Sequence, residues 1–373
     1  MALFKSNKTN SFLGVDIGAG SIKVVELGVS KNRPTLLTYG YSERPLGEAR
    51  VSPFDNPKET GALLAQICKK AGVKSTQAMT ALPLSSVFSA ILAVPRTKDQ
   101  KLMKQQIDAQ ITKLTPLPIS EMITYSTFFD EMGQTTQKQT NKKETRTKDQ
   151  KEVKKGYARV LVTGSAKTLV QKYIEIFRAA KLELQAIDTE SFALIRSLIG
   201  RDKSTIMILD MGFQRTNLTV VQKGIPFLTR SINIGGYSIT KQIMEQMNFK
   251  EAEAEQIKVD LGLTAEQAQS SGVMPKILEP FMQSVLNEIK YAFQLFANME
   301  FTESKQVEKL IITGGSSMLP KITDFFAEKL DLNVYRGDPW ARVVYPTDLR
   351  PLLDEVGPRM SVSIGLGMRE MDK

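Results

Sequence analysis

One pattern occurs twice in this chain, and it limits the fold more than any other feature. The first copy is Val15-Asp16-Ile17-Gly18-Ala19-Gly20-Ser21-Ile22-Lys23 and the second is Leu209-Asp210-Met211-Gly212-Phe213-Gln214-Arg215-Thr216-Asn217. In each, an apolar run ends on Asp, a Gly follows two positions later, and a short turn leads through a hydroxyl residue into a second apolar run. The two Asp lie 194 positions apart. A repeat at that distance implies two similar halves facing each other. Each copy reads as strand, glycine turn and strand: Phe12–Ile17 with Ile22–Leu27, then Thr205–Asp210 with Asn217–Gln222, the second turn one residue longer. Glycine suits such turns because it tolerates positive φ.

The chemistry follows from the residue types. Backbone N–H groups of a glycine turn converge on a phosphate, and a missing Cβ lets the backbone come close. Ser21 adds a hydroxyl and Lys23 a positive charge, although strand alternation leaves open whether Lys23 faces the site or solvent. Asp16 and Asp210 are placed to hold Mg²⁺ through water. Asp also favours plain turns, but both of these end apolar strands, where an unpaired carboxylate is costly. A third motif, Ile311-Ile312-Thr313-Gly314-Gly315-Ser316-Ser317, reads as a strand, a double glycine and a helix start. A double glycine lets a flat base or ribose lie on the backbone, and a nearby helix N-terminus favours negative charge.

At 373 residues, 42% of them hydrophobic, the chain is long enough for two lobes or more. It contains no His and one Cys, Cys68. Ser-His-Asp triads and His metal sites are therefore excluded, as is an internal disulfide, which fits a reducing compartment. No apolar run approaches the ~20 residues of a membrane span, and the start, Met1 to Asn10, lacks the apolar core of a signal peptide. Half of the net charge of +10 sits in one stretch. Met132 to Lys155 carries seven Lys and one Arg against two Glu and one Asp. This stretch has too few apolar residues to offset its ordering entropy and reads as a disordered surface loop, with contact to anionic lipid or an acidic partner segment as the alternative. It lacks interleaved aromatics, so no nucleic acid is expected as a partner.

Between the repeats, helices are expected over Pro57–Gly72 (apolar face Leu63, Leu64, Ile67), Asp99–Leu114 (Leu102, Met103, Ile107, Ile111, Leu114) and Lys167–Ala180. Strands are expected at Val87–Val94, Glu121–Phe129 and Ala158–Thr163. A strand Leu182–Asp188 and a helix Ser191–Ile199 precede the second repeat. After it come helices Ser238–Met247, Glu251–Leu261 and Ile277–Phe296, strand Lys309–Thr313, helix Pro320–Leu330 and a closing helix Met360–Glu370.

The order of these motifs resembles the phosphate 1, phosphate 2 and adenosine motifs of the actin, Hsp70 and sugar-kinase superfamily. More narrowly, the chain resembles the PilM family of type IV pilus assembly proteins and the related FtsA family. Supporting segments include Ala78–Leu84, Asp188–Leu198, Asn233–Gly236, Ala254-Glu255-Gln256-Ile257-Lys258 and Ile364-Gly365-Leu366-Gly367. The resemblance implies an α/β, actin-like (ribonuclease H-like) duplicated two-lobe fold with a small inserted α+β subdomain. Lobe one would span 1–84, with 182–203 and 360–373 returning to it. The subdomain would be 85–181, and lobe two 204–359 with a helical part at about 237–303.

The resemblance also implies ATP and Mg²⁺. Asp16 and Asp210 would serve the metal. Gly18, Ala19, Gly20, Ser21 and Lys23 would meet the phosphates from one side, and Gly212, Thr216 and Asn217 from the other. Gly314, Gly315 and Ser316 would hold the adenosine, with Glu255 and Lys258 at the ribose or base. Glu190 falls where actin-like ATPases place a water-polarising residue, with a first-turn helix acid as the plain alternative; Ser191 stands where such a Glu is often followed by Pro. A cytoplasmic protein is implied, peripheral at the inner membrane through partners. Its main partner would be the N-terminal tail of a PilN-like inner-membrane protein, with other pilus assembly proteins and self-association as further contacts. The chain ends soon after its last helix without the amphipathic membrane helix of FtsA, which favours the PilM family. The alternatives are an FtsA-like cell-division filament protein and a small-molecule kinase of the same superfamily, for which Asp188 is the nearest candidate base.

Overall fold

The structure, a computed structural model, describes residues 11–43, 52–129, 156–267 and 275–371. The basic stretch 132–155 and the polar start 1–10 lie outside them. Two compact units are present: one comprises the described parts of Met1–Ser85 and Ile174–Lys373, the other is Ser86–Tyr173.

The larger unit contains the same sheet twice. The first runs β3-β2-β1-β4-β8, with β1 (Ser11–Ile17), β2 (Ile22–Ser30), β3 (Arg33–Tyr41), β4 (Gln77–Leu82) and β8 (Glu183–Thr189). The second runs β11-β10-β9-β12-β13, with β9 (Thr205–Met211), β10 (Thr216–Gln222), β11 (Ile225–Ile232), β12 (Lys309–Thr313) and β13 (Asn333–Arg336). In each, three antiparallel strands form a meander, and two parallel strands are added beside its first strand. The central strands are apolar on both faces because both faces are covered: Leu13, Val15, Ile206, Met207, Ile208 and Leu209 are all fully buried.

Helices make the parallel crossovers. In the first half α1 (Pro57–Ala71) leads into β4. It starts on an Asn56 cap, whose side chain accepts the Glu59 N–H, with Pro57 in the first turn. It stops at Gly72, whose left-handed φ of 70° favours glycine. In the second half α5 (Gly236–Met247), α6 (Glu251–Gln267) and α7 (Glu279–Ala297) lie between β11 and β12, and α8 (Ile322–Leu330) between β12 and β13. Phe281, Val285 and Ile289 of α7 pack with Leu209, Leu218 and Leu310 in the core of this half. The first-half return carries α3 (Lys167–Ala179), β8 and the short α4 (Glu190–Leu194), which continues as a π-helical turn over Ile195–Ile199.

The last helix, α9, spans Arg350–Gly367. It starts ten residues before the expected Met360. Pro358 lies inside it, a position where proline removes a helical N–H donor. Here the proline carbonyl is used from outside, accepting from Gly314 N–H (3.0 Å) and Thr313 Oγ1 (3.2 Å). Close packing holds α9 to the first half: a Cβ on Gly365 would lie 1.9 Å from the Ala193 carbonyl oxygen, and one on Gly14 would lie 1.9 Å from that of Ser363.

Unit Ser86–Tyr173 is an antiparallel three-stranded sheet, β5-β7-β6, with β5 (Phe88–Pro95), β6 (Met122–Phe128) and β7 (Tyr157–Ala166). Helix α2 (Gln100–Leu114) covers one face through Ile107 and Ile111. The expected apolar faces are narrower than the periodicity suggests. Leu102 and Leu114 of α2 and Leu63 of α1 are exposed, while Leu64 and Ile67 are buried. Strands β3, β11 and β13 go beyond the elements expected from the sequence; each is an edge strand whose residues are largely exposed or half-buried.

Candidate functional site

The site is built from the two meanders in matching register. In the first, Ile17 pairs with Ile22 and Asp16 with Lys23. In the second, Met211 pairs with Thr216 and Asp210 with Asn217. The two turns are therefore equally long, Gly18–Ser21 and Gly212–Arg215. This corrects the sequence expectation of a longer second turn, which had aligned Ser21 with Thr216 instead of Arg215. The same hydrogen bond closes both turns: Gly18 N–H donates to Ser21 O (3.0 Å), and Gly212 N–H to Arg215 O (2.9 Å). A second correction concerns the glycines. Among described glycines only Gly72, Gly200, Gly224 and Gly314 have positive φ, so the turn glycines are there for space. A Cβ on Gly212 would be 3.1 Å from Arg215 O, and one on Gly18 would be 3.2 Å from Lys23 Nζ.

Lys23 faces the site. Its ammonium donates to Asp16 Oδ2 at 2.8 Å, and both side chains are largely buried. Among the described residues Asp210 has no such ion pair. Burial, then the Asp16 charge, pushes its carboxyl up to about 6, against the lowering effects of Lys23 and Asn217. Glu190, in the first turn of α4 behind the Thr189 cap, comes to the same place. Its Oε2 accepts the Leu84 N–H (2.8 Å) and the Asn217 amide (3.1 Å). Burial, then Asp210 and Asp16, raise it to about 8. Asn217 in turn accepts from Ser231 Oγ (2.7 Å) on β11.

The strand–double-glycine motif meets the second turn from the far side. Gly314 has φ 84°, and a Cβ there would lie 2.6 Å from Asp210 Oδ1, so this position admits only glycine. Ser316 Oγ donates to Gly212 O (3.4 Å). A 3-10 turn, Gly315–Met318, follows, and α8 begins later than expected, at Ile322. Beside Ser316 lies Gly236, the start of α5, whose N–H donates to Gly212 O (2.9 Å). The Lys258 ammonium reaches Gly236 O (3.3 Å), Thr240 Oγ1 (2.9 Å) and Glu255 Oε2 (2.8 Å), which uses all three of its donors. Burial lowers its pKa despite Glu255.

Most of the expected residues thus converge on one place: Asp16, Gly18, Gly20, Ser21, Lys23, Glu190, Asp210, Gly212, Asn217, Glu255, Lys258, Gly314, Gly315 and Ser316. Ala19 lies at the exposed tip of its turn. Thr216 does not join them. It is fully buried, and its hydroxyl donates to Ile234 O at 2.6 Å, so it braces the turn from behind rather than meeting a phosphate. Asp188 is held by Arg196 (2.5 Å) and Arg369 (3.6 Å), an ion-pair role in place of a base. Sequence reasoning missed Phe213, Ser231, Gly235 and Arg359. Gly235-Gly236 carried a usable signal, a strand followed by two glycines as in the third motif. Arg359, which sits against Gly315, carried none (a Cβ on Gly315 would be 3.7 Å from its Cγ).

Comparisons with known proteins place the chain in a family and a fold. A family model described as type IV pilus assembly protein PilM matches residues 14–371. Cell division protein FtsA of Bacillus subtilis (strain 168) is 23% identical over 204 residues, 48% of this chain and 44% of that protein. FtsA of Neisseria meningitidis serogroup B is 25% identical over 228 residues, 56% of this chain and 53% of that protein. The chain spans about half the length of these curated relatives. The solved PilM-PilN type IV pilus biogenesis complex superposes with TM-score 0.77 at 20% identity, covering 97% of this chain and 98% of that one. MreB 5 of Spiroplasma citri bound to AMPPNP superposes at 0.50 with 11% identity, covering 96% and 95%. These structural likenesses show a shared actin-like fold.

Proposed function

This chain belongs to the PilM family of type IV pilus assembly proteins, and from that membership we propose that it is an ATP-binding scaffold of pilus assembly. The observation that carries the reading is the convergence of two hairpin turns, a double-glycine turn and three carboxyl groups, Asp16, Asp210 and Glu190, on one place. The amides of Gly18–Ser21 and Gly212–Arg215 would approach the phosphates from opposite sides. Gly314–Ser316 would lie against the adenosine. Glu255, with Lys258 pinning it to Thr240 and Gly236, would sit at the ribose side.

A divalent cation fits this place. Asp210 is raised by burial and then the Asp16 charge, and Glu190 by burial and then the Asp210 and Asp16 charges, which a cation would relieve. Mg²⁺ keeps several waters and phosphate oxygens in its shell, so few protein carboxylates are needed to hold it. Asp16 and Asp210 would hold it, and when bound it would offset the phosphate charge. Lys23 orients Asp16, and the Asn217 amide orients Glu190 toward the same space. In the nucleotide-free chain, burial and then the Asp210 and Asp16 charges favour the protonated Glu190 carboxyl.

The PilN tail is the proposed partner, since the solved relative is a PilM-PilN complex. The chain would work at the cytoplasmic face of the inner membrane through that partner, and among the described residues no helix is long and apolar enough to cross a membrane. Titration calorimetry with Mg·ATP tests the site. Saturable binding is expected, weakened about 100-fold by Asp16→Ala or Asp210→Ala, or about 2.8 kcal/mol. An intact protein that binds no Mg·ATP would rule the reading out.

A further inference from the structure

We propose that Phe213 is a positioning residue of the nucleotide site, its ring crossing from the second hairpin turn to the first and setting their separation. A Cβ on Gly20 would lie 2.7, 2.8 and 3.0 Å from Cγ, Cβ and Cδ1 of Phe213, so the ring fills the space a side chain there would need. Gly20 has no positive φ, and its backbone conformation does not ask for glycine. The other turn glycines differ. Gly18 and Gly212 are crowded by atoms of their own hairpins. Gly20 alone among the three is explained by a residue of the other half.

Phe213 is well anchored on its own side. Its carbonyl accepts the Tyr237 N–H at 2.8 Å, and its ring packs on the Tyr237 ring at 5.5 Å between centroids. Gly235 presses on the same turn: a Cβ there would be 2.6 Å from Phe213 O. The base of the side chain is therefore fixed on the second half while its ring bears on the first. A phenyl ring, with two rotatable bonds, is a stiff spacer at low entropic cost. Two turns that must both meet one chain of phosphates need a fixed spacing, because small misplacements of binding groups are expensive.

The role rests on the ATP reading above, and one set of measurements separates the two. Affinities for Mg·ATP and for AMP, whose single phosphate cannot bridge both turns, are measured for wild type, Phe213→Ala and Phe213→Leu. Phe213→Ala should weaken Mg·ATP about tenfold, which is about 1.4 kcal/mol. AMP should hold within about twofold, and Phe213→Leu should recover most of the loss by restoring volume. A stability cycle with Gly20→Ala reads the contact without nucleotide: that substitution should lower Tm in wild type and lower it less in the Phe213→Gly background, where Cβ, Cγ and Cδ1 are all removed. Wild type that fails to bind Mg·ATP would overturn the nucleotide reading. Wild type that binds, beside a Phe213→Ala variant that binds equally well or loses AMP as strongly as Mg·ATP, would overturn the spacing role alone. So would a stability cycle without coupling.

Discussion

The two meanders share strand order, register and turn, yet they place different chemistry at the same position. Opposite Asp16 stands Lys23; opposite Asp210 stands Asn217. The third strand continues the contrast, with Tyr41 beside Lys23 and Ser231 beside Asn217. The first row therefore carries its own counter-ion. The second carries an amide and a hydroxyl that orient oxygens without supplying charge, and Glu190 leans on it through Asn217. A duplicated backbone fixes where groups sit, while the residues facing each other across the strands decide which carboxylate has a counter-ion beside it.

The largest expected effect tests that asymmetry by pH. Glu190 has an ordinary value of 4.5 and is raised to about 8 in the fold. A group whose folded value is raised favours the folded state while protonated, so its stabilisation is complete below 4.5 and is lost as pH climbs through 8. The nucleotide-free protein should lose about 3 kcal/mol between pH 5 and pH 8 from this group. Glu190→Gln keeps an oxygen for the Leu84 N–H and should flatten that slope in urea melts across the range. A slope that the substitution leaves unchanged would mean the carboxyl is already compensated.

A smaller but sharper contrast comes from neutralising each Asp without nucleotide. Asp16→Asn strips Lys23 of its partner in a largely buried pair and should destabilise by about 2 kcal/mol. Asp210→Asn removes a desolvated charge and should stabilise by a similar amount, about 2 kcal/mol at pH 7.5. Opposite signs in chemical denaturation would establish that the halves differ electrostatically. Equal signs would break the comparison.

How much of this was legible beforehand depends on the range of the interaction. Duplication showed in the sequence because strand, Asp and glycine lie within a few residues of each other. The central strands could be read because both their faces are apolar, whereas β3, β11 and β13 hid because edge strands alternate weakly. Pro358 hides the first part of α9, since a proline inside a helix removes an N–H donor and ordinarily marks a boundary. Within the site, Asp16 and Asp210 were readable as carboxylates at the ends of apolar strands, whereas Glu190 came only from the family resemblance. Thr216 was misplaced by one position of alignment between the turns. Glu26 was missed entirely: fully buried, it accepts from Ser11 Oγ and from the Lys74 and Ser75 N–H groups, which pins the entry to β4. No spacing rule announces a contact made across 48 residues.

The finest distinction lies at the third strand. Ser231 Oγ donates to Asn217 Oδ1 at 2.7 Å, and Asn217 spends its amide on Glu190. Ser231→Ala leaves that oxygen unpaired inside the site and should cost about 1 kcal/mol, the usual net worth of such a bond. Tyr41 occupies the matching place in the first half but is 39% exposed. Tyr41→Phe should therefore stay within about 0.5 kcal/mol of wild type. The two melts, compared at one pH, ask whether the third strand matters only where no cation is built in. A Tyr41→Phe loss as large as that of Ser231→Ala would mean that the first row, too, leans on its outer strand, and the contrast between the halves would then stop at Lys23 and Asn217.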